Sequence, residues 1–551
     1  MRRLLLVTVL TLPSLAFAQG ALTPPSGAFS GAAPAPTMKT LDQLEPRTPL
    51  EPGAPGVSPS MNGGLIIDEP GSYYLTGNLT VSSGNAIDIG ASNVTLDLNG
   101  FTILSTAGDN VVRGAGIELS GAVTNVTIRN GHIRGTSYLN GASFIRGGFD
   151  YGITAPDSST SNLADNVGVV GVVQNGINLP NGSTVTHCSA SLCGITGINA
   201  TVVGDSVAED CSLMGINAKT AENCFGKGAF AGIYTENASN CRGEATTFGN
   251  GLYAAVSATN CSGLNKSGPG LTCGLALNCR GQSITEVGLT ATTATGCYGT
   301  SNGSTGLSAR SASNCQAASA AGTGLFCDTA TDCYAISSSS IGLDASRTTT
   351  GCYGSTSTGA YGLRAGAAAE NCYGYIEINT GTGTALGTAV ALNCRGKSLG
   401  SGPGVTADSA TNCYGESASG IGLQAKQNAT GCTGTTASGS NGLLVGDTGA
   451  AGTAENCRGI VTGGTGIGLA AETAANCFGQ STAGTGLIAA TATNCSAYTA
   501  SGAIAMRIDG SANNCRGNNS KAGGIAIQAT IAVSCTTAGG TISAPNKYNM
   551  P

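Results

Sequence analysis

The chain has 551 residues, with 24 Lys and Arg against 30 Asp and Glu and a formal net charge of −6. It carries no basic tract, which excludes the electrostatic footprint of a nucleic-acid-binding protein. Only 10% of residues are charged, 87 are Gly and none is Trp, yet 41% are hydrophobic and regularly patterned, which argues against disorder.

The first residues read MRRLLLVTVLTLPSLAFAQG. Arg2 and Arg3 form a basic start, an apolar run follows from Leu4 to about Ala18, and Ala16-Phe17-Ala18 has the small-residue pattern of a cleavage site. The expectation is a secretory signal peptide over 1–18, hence a secreted, periplasmic or cell-surface protein. No later segment approaches the length of a membrane span. Residues 19–60 are rich in Pro, Gly and Ala and read as a leader, with a possible short helix where Met38, Leu41 and Leu44 recur at helical spacing.

From residue 61 onward strand signals dominate. SNVTLDLNGFTI begins at 92 and TNVTIRNGHIRG at 124, alternating so that Val94, Leu96, Val126 and Ile128 face inward. Ionisable residues cluster between 109 and 165, where the stretch GTSYLNGASFIRGGFDYG breaks the pattern. With Ile133 inward, His132 and Arg134 face out together and are the candidate catalytic residues. Asp97 and Arg129 stand at equivalent outward positions of successive coils, where an exposed pair contributes about 0–1 kcal/mol.

Beyond Cys188, Cys193 and Cys211, an Asn-Cys-x-Gly phrase recurs from Cys224 to Cys535 in steps of 17 to 25 residues. A period near 19 marks a solenoid. A second phrase, Gly-Leu-x-Ala, keeps step with the first, its Leu usually eight or nine residues before the next cysteine. Leu and Ala, two apart, share the inward face. The cysteine is expected to occupy the position held by Val94 and Val126 in the early coils, so that the thiols form a buried column behaving as small apolar residues. The Asn before each suits a turn. Cys273 and Cys327 replace the Ala of Gly-Leu-x-Ala and should also be inward. Parallel side-chain vectors hold Cβ atoms near 4.8 Å instead of the ~3.8 Å of a disulfide, which favours free thiols. A linear stack supplies no tetrahedral set for zinc, so neither a metal nor another cofactor is expected.

The residue after each column cysteine faces outward. It runs from Phe225 and Arg242 through Tyr298, Tyr334, Tyr353, Tyr373, Arg395 and Tyr414 to Phe478 and Arg516. Stacked neighbours of this kind stabilise adjacent strands by about 0.2–1 kcal/mol per pair. The functional reading is a platform for an extended polysaccharide. Tyr334, Tyr353, Tyr373, Arg395 and Tyr414 are the candidate ligand-binding residues.

PGSYYLTGNLTV followed by NVTLDLNGFTI and coils of about 19–32 residues resembles the right-handed parallel β-helix proteins of the pectate-lyase-like superfamily, over roughly residues 61–540. The resemblance implies an all-β fold, a single right-handed parallel β-helix. It would have longer loops over 61–223, regular cysteine coils of about 18–22 residues over 224–540 and a tail over 541–551. A left-handed helix of hexapeptide repeats would demand a nearly constant 18-residue coil. The superfamily holds lyases, glycoside hydrolases and epimerases beside non-catalytic proteins, so the resemblance does not choose a function. The Asn-Thr-Asp, Asp-Asp and His-Gly strings of the polygalacturonase-like hydrolases and the Asp-Pro-His-Asp string of the alginate epimerases are absent. The expectation is a non-catalytic structural or glycan-binding role at the surface or envelope. The alternative is a polysaccharide lyase or glycoside hydrolase.

Overall fold

The computed structural model describes residues 47–550 apart from 109–110, 142, 379 and 448–450. The signal peptide and the helix expected around Met38 lie outside the described residues. The described chain is all-β, without helix, and winds into a single parallel β-solenoid of about 25 turns, consistent with a right-handed parallel β-helix.

A regular coil is built from two strands and two turns. The coil around Cys279 shows the plan. A strand over Leu271–Leu277 carries the Gly-Leu-x-Ala phrase and pairs in parallel with Leu252–Thr259 before it and Leu289–Thr295 after it. In the preceding strand, Leu252–Thr259, a register shift falls between Ala254 and Ser257; the residues on either side of this point form different faces. Asn278 then turns the chain in the left-handed region (φ 53°), Cys279 points inward, and Arg280–Ser283 forms the third face. We call these the Gly-Leu face, the threonine face (Thr293, Ala294 and Thr295 in the next coil) and the cysteine face.

The core follows from the phrases. Leu271, Leu289, Leu307, Leu325 and Leu343 are fully buried, one per coil, and each contributes roughly 1.5–3 kcal/mol of transfer free energy. All 22 cysteines are buried, Cys273 and Cys327 among them, and all are free thiols. The Gly of Asn-Cys-x-Gly has a steric reason. A Cβ on Gly281 would sit 2.2 Å from the carbonyl oxygen of Gly288, the Gly of the next Gly-Leu phrase. Two backbones touch there across the narrow edge of the solenoid.

Asn before the cysteine is the residue that tolerates the left-handed turn most cheaply after Gly. The position holds φ values near 53° at Asn240, Asn260, Asn278, Asn371, Asn393 and Asn412, and Gly replaces it at 296, 351 and 431. Its amides also ladder along the axis: Asn240 donates to Asn223 at 3.1 Å and Asn260 to Asn240 at 3.2 Å.

One expected equivalence is corrected. Val94 and Val126 are inward, as are Leu96 and Ile128, but they do not start the cysteine column. Thr95, Thr127, Leu163 and Thr184 pair in register, so the residues before them, Val94, Val126, Asn162 and Ser183, form one column. The cysteine column runs back through Cys188 and Val167 to Gly131. The early coils make two left-handed turns each, at Asn125 and again at Asn130, and the cysteine phrase descends from the second. NGHIR, not NVTIR, is the cognate of NCYGE.

Strands also extend beyond the expected bounds of 61 and 540. Thr48–Pro49 pairs with Tyr73–Tyr74, Val57–Pro59 pairs antiparallel with Leu65–Ile67, and Leu50 is buried. Asn546–Tyr548 pairs with Ile531–Val533. Pro59 is accommodated because it ends an edge strand, paired on one side with Leu65–Ile67. The break at 135–152 is a two-stranded hairpin, Tyr138–Asn140 against Ser143–Ile145, followed by a fully buried Phe149.

Candidate functional site

Strand pairing places the residues that follow the column cysteines in one unbroken row. Phe225 pairs with Arg242, Arg280 with Tyr298, Gln316 with Tyr334, Tyr334 with Tyr353, Tyr353 with Tyr373, Tyr373 with Arg395 and Arg395 with Tyr414. Side chains alternate across a strand, so a residue next to an inward cysteine points out. The row is exposed to half-buried throughout; Tyr334 retains 47% of its surface.

The geometry within the row is specific. Tyr334 and Tyr353 stack with centroids 4.7 Å apart and planes 7° from parallel. Tyr373 departs from the uniform stack that the strand spacing alone suggests. It stands edge-on to Tyr353 at 5.4 Å and 66°, and the Arg395 guanidinium covers its ring at 5.5 Å. The same guanidinium lies 5.2 Å from the Tyr414 centroid, so Arg395 is held between two rings. The motif recurs along the face: Arg242 over Phe225, Arg280 over Tyr298 and Arg458 over Phe478, at 5.7, 5.4 and 5.3 Å. Each contact contributes about 0.5–1 kcal/mol at an exposed site. Beside this row Lys397 pairs with Glu416 at 2.9 Å, and Arg395 reaches the same carboxylate at 3.8 Å. Burial pushes the Tyr353 and Tyr373 phenols above their usual range, so both rings carry a neutral hydroxyl.

His132 and Arg134 fall on the same two rows. His132 pairs with Thr102 and Gly168, and Gly168 with Ser189, which leads through Val207 to Phe225. Both side chains are exposed and Ile133 between them is buried. Among the described residues neither forms an ion pair. The structure therefore puts both sequence candidates on one face, at separate places along it. Asp97 and Arg129 pair as expected, at 3.3 Å, and Asp97 is largely buried.

A second polar row went unnoticed in the sequence. On the Gly-Leu face, Glu118, Thr154, Asn178, Asn199, Asn217, Tyr234 and Tyr253 stand in register on successive coils. Its signal is legible: GIN occurs at 176, 197 and 215, then GIY at 232 and GLY at 251. The x of Gly-Leu-x-Ala varies, but here it holds three amides and two rings.

Among the described residues, no group of three or more His, Cys, Asp and Glu is placed to hold a metal ion. No helix there is long and apolar enough to cross a membrane.

No protein-family model matches the chain, and none of the curated proteins does. Among solved structures, the A-module of the mannuronan C-5 epimerase AlgE6 from Azotobacter vinelandii aligns over 88% of this chain and 90% of its own, at 13% identity and a TM-score of 0.20.

Proposed function

We propose that the protein is an exported, non-catalytic relative of the pectate-lyase-like β-helices and that its cysteine face binds an extended glycan. The observation that carries this is the row Tyr334, Tyr353, Tyr373, Arg395, Tyr414, in register on successive coils, with a parallel ring pair and a guanidinium held between two more rings. Aromatic rings offer broad apolar faces to the C–H faces of sugars, and the tyrosine hydroxyl adds a polar tip. Arg395 adds a charged fork for carboxylate or sulfate. A polymer whose units repeat along the solenoid axis would meet equivalent groups at roughly the strand spacing of about 4.8 Å.

A polysaccharide-active enzyme is the second reading, favoured by the position of His132 and Arg134 on the same two rows. A polymer lying on the tyrosines would extend towards them. Two variants separate the readings: one with Tyr334, Tyr353 and Tyr373 changed to Ser, the other with His132 and Arg134 changed to Ala. Retention on immobilised acidic polysaccharides should be lost in the first and kept in the second. Release of unsaturated products or new reducing ends by the parent, lost only in the His132 and Arg134 variant, would overturn the non-catalytic reading. Retention unchanged in the triple-serine variant would overturn the binding face.

A further inference from the structure

We propose a second carbohydrate-binding groove, on the Gly-Leu face between Glu118 and Tyr253, which takes a neutral, hydroxyl-rich glycan running along the solenoid axis. It is independent of the ring and guanidinium row, which lies on a different face.

The centre of the groove is an amide ladder. Asn178 donates to the Thr154 hydroxyl at 3.3 Å, Asn199 to the Asn178 carbonyl at 2.7 Å, and Asn217 to the Asn199 carbonyl at 2.9 Å. A primary amide has two N–H donors and two carbonyl lone pairs. The ladder uses one N–H of each Asn, and one lone pair of Asn178 and of Asn199. The three amides are half-buried, not sealed. Each coil therefore keeps at least one donor and one acceptor for a ligand, repeating at about the 4.8 Å strand spacing. Sugar hydroxyls, which donate and accept, suit such an array; a carboxylate, which only accepts, would leave the carbonyls unused.

The ladder ends in rings. Tyr234 and Tyr253 occupy the next two positions of the row and stack at 4.7 Å with planes 13° apart. Tyr234 keeps 43% of its surface exposed. A hydrogen-bonding strip that runs into an aromatic platform matches the two sides of a sugar, its hydroxyl rim and its C–H face.

Two open clefts lie on this row. One of about 570 Å³ surrounds Glu118 and Thr154, with Asp150 and Tyr151 on its wall. The other, about 440 Å³, is lined by Asn199, Asn217 and Tyr234 with Lys219 and Glu236. The first end is acidic on balance: Glu118 and Asp150 line its cleft with Arg113, and the Asn85 amide bridges Asp88 and Glu118. At the second, Lys219 is offset by Glu236. This charge repels an acidic polymer and tolerates a neutral one. Further along the same row the side chains are Thr272, Thr290 and Ser308, and a third cleft on it, about 310 Å³ beside Arg364 and Thr406, has no asparagine in its lining.

The test uses the full chain and titrates cellohexaose, mannohexaose, xylohexaose and maltohexaose by calorimetry, with oligogalacturonate as the acidic comparison. At least one neutral hexasaccharide should bind. The double change Asn199→Val and Asn217→Val should weaken it roughly tenfold or more, the equivalent of about 1.4 kcal/mol. Tyr234→Ser, at an exposed position that the fold does not depend on, should weaken the same ligand and covers the case in which the double variant does not fold. Changing Tyr334, Tyr353 and Tyr373 to Ser should leave neutral binding intact, whether or not acidic binding is lost. The groove is overturned if no neutral hexasaccharide binds. It is equally overturned if Tyr234→Ser has no effect, or if the triple tyrosine variant abolishes neutral binding.

Discussion

The backbone N–H of Cys413 points at the sulfur of Cys432, one coil on, at 3.4 Å. The same contact joins Cys279 to Cys297, Cys333 to Cys352 and Cys432 to Cys457 at 3.4–3.5 Å. Where a coil has no such cysteine, another side-chain acceptor takes over. Cys188 N–H finds the Ser206 hydroxyl at 3.1 Å, Val126 N–H the Asn162 carbonyl at 3.0 Å, and Cys535 N–H the Met550 thioether at 3.3 Å. The left-handed turn thus leaves a buried amide that is served by the side chain of the next coil. The thiol in turn donates back across the turn, as Cys432 does to the Thr430 carbonyl at 3.4 Å. Cysteine is small enough for the column and still polar enough for both bonds.

It follows that Cys432→Val, although apolar and of similar size, strands the Cys413 amide, at a cost of about 1–3 kcal/mol. Cys432→Ser should cost less, because Ser206 already fills this position, accepting from Cys188 and donating to the Gly204 carbonyl. Cys432→Asp should be the worst, burying a charge without a partner. Thermal unfolding of the three variants should rank Ser above Val above Asp. A Val variant as stable as the parent would remove the amide from the explanation.

The same column predicts thiol chemistry. Burial pushes Cys273 and Cys327 up to about 12, and Cys188 likewise. In the column Cys241 and Cys297 are raised, first by hydrogen bonds with neighbouring thiols and then by burial. Alternate column thiols, Cys261 and Cys315 among them, are lowered by hydrogen bonds with the same neighbours, so protection rests on burial: all the cysteines lie out of reach of reagent, and folded protein should react with almost no thiol reagent at pH 8. After unfolding without reductant, most of the 22 cysteines should appear. A count near zero in the unfolded, unreduced protein would mean that the stack is disulfide-bonded.

Much of the fold was legible because the solenoid repeats its own constraints. Leu in Gly-Leu-x-Ala, Cys after Asn, and the outward row after Cys each follow from a two-residue alternation read once per coil. The early coils misled because both Asn125-Val126 and Asn130-Gly131 are left-handed turns with an inward residue after them. Gly131 has no side chain to advertise its place, so Val126 looked like the parent of the cysteine. The amide row escaped because Asn178, Asn199 and Asn217 sit at a position that elsewhere varies from coil to coil. GIN recurs at 176, 197 and 215, and strand register shows that these three like residues stack.

His187 takes the place of an asparagine in the turn ladder, with φ 53°. Its Nδ1 meets Asp165 at 2.9 Å and its Nε2 lies 3.9 Å from Asp205. The hydrogen bond with Asp165 raises its pKa above the ordinary 6.5. For a raised histidine the stabilisation is present in full below about pH 6.5 and is lost as pH rises through the folded value. The chain has only one other histidine, His132, so NMR titration can separate the two. His187 should titrate above 6.5 and fall back towards it in Asp165→Asn. His187→Asn should fold normally and lose this pH dependence. An unshifted His187 in the parent would contradict the contact.

The last prediction turns on Arg395, held between Tyr373 and Tyr414. A guanidinium stacked on two rings is fixed in orientation, with its N–H edge free to meet an acidic group on a ligand, and a lysine ammonium has neither the plane nor the fork. Glu416 competes for the same edge only from 3.8 Å, and Lys397 already satisfies that carboxylate at 2.9 Å. If the cysteine face binds an acidic glycan, Arg395→Lys should weaken it several-fold although the charge is kept, and Arg395→Ala should weaken it further. Raising salt should weaken the parent more than Arg395→Ala, because the screened interaction is already missing in the variant. Glu416→Gln should tighten binding modestly by removing a competing charge. Equal affinities for parent, Lys and Ala variants at low salt would place the acidic ligand elsewhere, even if the tyrosines still proved necessary.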